Sequence, residues 1–62
     1  MITVAVAGCG GRMGSAVVDA VQAADDLSLV CGIDPFAQNT NYPVYASIDE
    51  ALQAESFEVL VD

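Results

Sequence analysis

Apolar residues fill Ile2 to Ala7 with Thr3 as the single polar interruption. A short valine-rich run of this kind predicts a strand covered on both faces, as in a parallel sheet. It breaks at Gly8-Cys9-Gly10-Gly11, and there the period changes. Met13, Ala16, Val17, Ala20, Val21 and Ala24 recur at steps of three and four, which predicts one apolar helix face with Asp19 and Gln22 turned away from it. That helix opens near Arg12. Acids at a helix C-terminus oppose its dipole, so Asp25-Asp26 places the end near Ala23. A second apolar run, Leu27 to Ile33, closes at Asp34-Pro35, where proline cannot continue a central strand. Residues 35–43 (PFAQNTNYP) read as loop, and Pro43-Val44-Tyr45 as the start of a short third strand. Ser47 and Glu50 have capping-box spacing ahead of a short helix with Ile48, Ala51 and Leu52 on its inner face. Phe57 to Val61 completes the pattern as a last strand. The order β-α-β-(β)-α-β predicts an α/β fold built on a parallel sheet.

Composition narrows the class. Sixty-two residues make at most one small domain, of a size that buries only about 60% of its unfolded surface. With 55% hydrophobic and 16% charged residues, the chain is not a disordered or solvating segment. No apolar run approaches the roughly 18 residues of a membrane span, and Ile2 to Ala7 has no basic region before it as a signal peptide would. A cytoplasmic protein is expected. Nine acids face one base, Arg12, and the net charge of −8 argues against nucleic acid or anionic membranes as partners. Cys9 and Cys31 are too few for a disulfide framework and match no zinc spacing, so no metal site is expected. Cys31 reads as a small core residue; Cys9, inside the turn, reads either as packing or as a reactive thiol. The last predicted strand has no helix after it to cover it, so residues 1–62 are expected to be the N-terminal portion of a larger domain.

The glycines carry the chemistry. Gly8 and Gly10 begin a G-x-G, and Gly8, Gly11 and Gly14 form G-x-x-G-x-x-G; Met13 stands where the strict G-x-G-x-x-G pattern has its last glycine. The match is weak alone, but it follows a buried strand, opens an amphipathic helix, and precedes an acid, Asp34, 20 residues beyond Gly14. That is the context of a Rossmann-type dinucleotide site. Gly8 permits a tight turn, Gly10 and Gly11 let the backbone approach a pyrophosphate, and Gly14 lets the helix approach the sheet. The helix N-terminus offers free amides and partial positive charge, Arg12 a cationic hydrogen bond, and Asp34 acceptors for the adenosine ribose hydroxyls. Similar turns also serve methyltransferases that bind a nucleoside without pyrophosphate, and some are purely structural. The absence of Gly-Lys-Ser/Thr excludes a P-loop.

Val4 to Gly14 (VAVAGCGGRMG) resembles 4-hydroxy-tetrahydrodipicolinate reductase, also called dihydrodipicolinate reductase, of lysine and diaminopimelate biosynthesis. Gly-Arg-Met-Gly is the specific part. Pro43 to Leu52 and Phe57 to Asp62 resemble the family's second crossover and the strand leading to its cofactor loop, so the likeness covers nearly the whole chain. The resemblance implies that Gly8, Cys9, Gly10, Gly11, Arg12 and Met13 form the coenzyme turn and that Asp34 meets the adenosine ribose. It further implies hydride transfer from NADH or NADPH to a cyclic imine dicarboxylate, in a homotetramer built through a C-terminal domain. The family's paired-histidine and lysine motif has no counterpart here, because the chain has neither residue type. No catalytic residue is therefore expected in residues 1–62. Pro35, Phe36, Ala37 and Gln38 follow Asp34 with no cation for a 2′-phosphate, which predicts a preference for NADH. Another NAD(P)-dependent oxidoreductase and a dinucleotide-sensing domain without chemistry share the same pattern.

Overall fold

The computed structural model describes residues 1–37 and 40–62; Gln38 and Asn39, part of the predicted loop, lie outside them. Its elements run β1 (Ile2–Ala7), α1 (Arg12–Ala23), β2 (Leu27–Ile33), β3 (Val44–Tyr45), α2 (Ile48–Ala54) and β4 (Val59–Val61). The four strands form one all-parallel sheet in the order β3-β2-β1-β4. The chain steps outward from β1 to β2 and β3, then returns to place β4 on the other side of β1. In open parallel sheets such a reversal opens a crevice beyond the carboxyl ends of the strands, where ligands bind. The glycine-rich turn stands at that end of β1.

The centre of the sheet is covered on both faces, as the β1 composition predicts, while Val59 and Leu60 of β4 are exposed. Val4 and Val6 pack with Val18 and Val21 of α1, whereas Ala5 packs with Cys31, Ile33 and Ala51 of α2. A bulge redirects β2. Val4 pairs with Leu29 but Ala5 pairs with Cys31, so Val30 is an extra residue in the ladder. A bulge of this kind reverses the side-chain alternation beyond it. Leu27 and Leu29 therefore join the α1 side, while Cys31 and Ile33 join the α2 side.

Helix faces differ from the expected ones. In α1 the buried residues are Val18 and Val21, with Val17 packed beside them, while Ala16 and Ala20 are exposed and Met13 is 81% exposed. The face is rotated toward the bulkier valines, which remove more apolar surface from water than alanine does. Asp19 and Gln22 lie outside, as expected. In α2 only Ala51 is buried; Ile48 and Leu52 are exposed. Ser47 caps α2 through the Glu50 amide, which donates to its hydroxyl at 3.2 Å. The Glu50 carboxylate, however, accepts from the Ala46 amide at 3.2 Å and not from Ser47, so the reciprocal half of the box is shifted by one residue. β4 is shorter than the run from Phe57 that predicts it, and the Glu58 amide before it donates to both Thr3 oxygens.

Candidate functional site

The turn between β1 and α1 uses its glycines for three different reasons. Gly8 has φ +69°, in the left-handed region that side chains rarely adopt, and its carbonyl accepts from the Gly11 amide at 3.0 Å to close the turn. Gly14 lies directly against that carbonyl: an added Cβ would overlap the Gly8 carbonyl and stand 2.9 Å from the Cys9 Cα. The close approach at Gly14 is therefore to the turn itself, where the sequence suggested the sheet. Gly11 is different. Its Cβ would meet only the Gly8 carbonyl oxygen at 3.5 Å, an ordinary contact, so the fold itself does not require glycine there.

Gly11 is also the N-cap of α1, and as a glycine it leaves the first-turn amides without a side-chain cap. The Gly11 carbonyl begins the helical ladder by accepting from Ser15 at 2.8 Å. The amides of Arg12, Met13 and Gly14 precede that first helical bond, and no acidic side chain stands in the first turn. Such a terminus presents N–H groups and the positive end of the helix dipole to an anion. Arg12, the one basic side chain in the chain, begins the same helix and is exposed. Met13 is exposed beside it.

Cys9 faces inward. It is 2% exposed and packs with Val6 and Val18, which makes its thiol a core group and its contribution to the turn a backbone one. Gly32 of β2 and Tyr42 complete this pocket of packing, since a Cβ on Gly32 would overlap the Cys9 sulfur and stand 2.9 Å from the Tyr42 ring. The Tyr42 hydroxyl is pushed up to about 12, chiefly by burial, then by the neighbouring Cys9 and by the negative charges of Asp19 and Asp34. No sequence signal singled out Gly32 or Tyr42 as the support of the turn. Cys31 is fully buried on the opposite face, as its apolar setting predicts, and burial raises its thiol above the ordinary value.

Asp34, at the carboxyl end of β2, reaches the turn. Its Oδ2 accepts from the Gly10 amide at 3.0 Å, and its Oδ1 accepts from the Phe36 amide at 2.8 Å. A Cβ on Gly10 would lie 2.9 Å from Oδ2 and 3.2 Å from the Ala37 Cβ, so glycine here makes room for the loop after β2. The fold thus brings together the two sequence signals, the glycine turn and the distant acid. Phe36, two residues on, is 85% exposed. Among the described residues there is no group of three or more potential metal ligands, and no helix long and apolar enough to cross a membrane.

Residues 2–62 match the family model described as dihydrodipicolinate reductase, N-terminus. The chain belongs to this family. Among its curated relatives, the 4-hydroxy-tetrahydrodipicolinate reductase of Clostridium botulinum (strain Eklund 17B / Type B) is 36% identical over all 62 residues, which are 24% of the relative's length. The enzyme of the same name from Clostridium novyi (strain NT) is 37% identical over 51 residues, 81% of this chain and 20% of the relative. That of Methanosphaera stadtmanae is 53% identical over 34 residues, 55% of this chain and 12% of the relative. The chain therefore spans about a quarter of the length of the first of these and less of the other two. No solved structure matches it.

Proposed function

We propose that residues 1–62 are the N-terminal, coenzyme-binding portion of a 4-hydroxy-tetrahydrodipicolinate reductase, and that the turn from Gly8 to Met13 holds the pyrophosphate of NADH or NADPH. The observation that carries this reading is the uncapped first turn of α1, which follows a positive-φ glycine at the carboxyl end of the central strand. The donor set fits a diphosphate: backbone amides from Arg12 to Gly14, one guanidinium, and no competing acid in the first helical turn. When bound, the nicotinamide supplies hydride to a cyclic imine dicarboxylate, the substrate class implied by the names of the relatives. Residues of this chain bind and orient the coenzyme, and the dicarboxylate and the groups that move protons are assigned to the C-terminal domain that the family resemblance implies. The homotetramer and the lysine pathway rest on the family resemblance.

NADH is the preferred coenzyme in this reading. Asp34 places a carboxylate at the end of β2, and neither it nor Pro35, Phe36 or Ala37 provides a cation for a 2′-phosphate. A negative group there repels a second negative group and accepts hydrogen bonds from ribose hydroxyls. Calorimetric titration of the full-length protein with each coenzyme tests both points. Heat of binding with NADH, and a weaker NADPH complex, are expected; absence of binding by either coenzyme would overturn the assignment.

A further inference from the structure

The contact between Asp34 and Gly10 has the wrong partner for a residue whose whole task is to meet a ribose. The residues are 24 positions apart, yet Oδ2 of the acid accepts from an amide in the middle of the glycine turn, and Oδ1 is engaged by Phe36. Both carboxylate oxygens therefore hold backbone. The spacing between turn and loop is tight enough that a Cβ on Gly10 would collide with this same Oδ2.

Glycine is abundant in the turn, at positions 8, 10 and 11, and glycine loses more conformational freedom on ordering than any other residue. A ligand that had to order such a segment would bind more weakly for it; fixing the shape in advance removes that cost. Three hydrogen bonds do the fixing: Gly8 amide to the Ile33 carbonyl at 2.7 Å, Gly11 amide to the Gly8 carbonyl at 3.0 Å, and Gly10 amide to Asp34. The last alone comes from a side chain, and it is charge-assisted. It also withdraws the Gly10 amide from the anion, leaving the helix amides to receive it.

Resting on the coenzyme reading above, we propose that Asp34 is a positioning residue for the diphosphate, holding the glycine turn in its binding shape before the ligand arrives, in addition to any contact with ribose. Asn at this position keeps the size but has one oxygen for two amides. Asp34→Asn is the variant of choice, tested in the full-length protein with two ligands: NADH, and a NADH analogue whose adenosine ribose lacks both the 2′ and 3′ hydroxyls. The proposal predicts that Asp34→Asn weakens the analogue about tenfold, any further loss with NADH measuring the ribose contact. An analogue bound equally by wild type and variant, while NADH weakens, would reduce Asp34 to a ribose contact and overturn the proposal, with the coenzyme reading intact. Binding of neither ligand to wild type would overturn both. Amide hydrogen exchange in the free wild-type protein is independent of the variant's folding. The Gly10 amide should exchange at least about tenfold more slowly than the Arg12 amide; equal rates would mean that the clamp does not exist.

Discussion

The Asp34 carboxylate accepts the Gly10 amide at 3.0 Å, joining the carboxyl end of β2 to the turn that leaves β1. Two adjacent parallel strands are thereby linked beyond their last ladder bond, at the end of the sheet where the helix amides of α1 emerge. Glycine at 10, which by sequence alone reads as clearance for a ligand, is clearance for Asp34.

Gly14 and Gly11 should separate folding from binding. Alanine is intrinsically about 1 kcal/mol better than glycine inside a helix. At Gly14 that gain is outweighed, because the added methyl meets the backbone of Gly8 and Cys9, which cannot rotate away as a side chain does. Gly14→Ala is expected to cost about 2 kcal/mol net, read as a lower denaturation midpoint. Gly11→Val leaves the fold in place, since its Cβ finds ordinary contact and its φ of −84° suits any residue. It should nevertheless abolish NADH binding with the circular dichroism spectrum unchanged; retained affinity would argue against the turn as the diphosphate site.

Arg12 is the one basic side chain in the chain and begins the helix proposed to receive the diphosphate. A hydrogen bond to a charged partner contributes about 1.5–3 kcal/mol when formed. Exposure and salt reduce this, so Arg12→Ala is expected to weaken NADH about tenfold at low ionic strength and less at high. Titrations at two salt concentrations check it, and a salt-independent loss would contradict the electrostatic origin.

Coenzyme preference should follow the loop after β2. Phe36→Arg introduces a cation two residues beyond Asp34, where the chain has none. The ratio of NADPH to NADH affinity should rise about tenfold, which corresponds to about 1.4 kcal/mol. Unchanged selectivity would place the 2′-phosphate elsewhere.

Tyr42 gives the fold a dependence on alkaline pH. Its pKa in the folded protein is raised from 10.0 to about 12, so the unfolded chain releases the proton first. In that range the folded state binds more protons, and stability falls as pH rises. The contribution is intact below about pH 10 and is lost on approach to 12. Tyr45 is raised too, chiefly by donating to Glu55 at 2.9 Å, and adds in the same direction. Denaturation midpoints measured across this range should drop less steeply in Tyr42→Phe than in wild type.

Legibility in the sequence followed residue size and local chemistry. The bounds of β1, α1 and β2 were readable because valine runs, glycines and Asp34-Pro35 mark them directly. The inner face of α1 was not, because a period counted with alanine as fully apolar fits two rotations equally well. Val18 and Val21 decide between them by bulk. The bulge at Val30 has no sequence mark, since neither glycine nor proline produces it, yet it sends Cys31 and Ile33 to the α2 side. Asp34 was singled out in the sequence by its distance from the turn, and the fold brings it to that turn. Its hold on Gly10 was not, because hydrogen bonds between segments 24 residues apart depend on strand register, which only the folded sheet defines. Gly32 and Tyr42 escaped notice for a related reason: their importance lies in what they touch, the Cys9 side chain behind the turn.

The most direct test is a structure of the full-length protein with NADH. The account predicts diphosphate oxygens within about 3 Å of the main-chain nitrogens of Arg12 and Met13, with the Gly10 amide still on Asp34. A nucleotide bound with its diphosphate away from the start of α1 would contradict it.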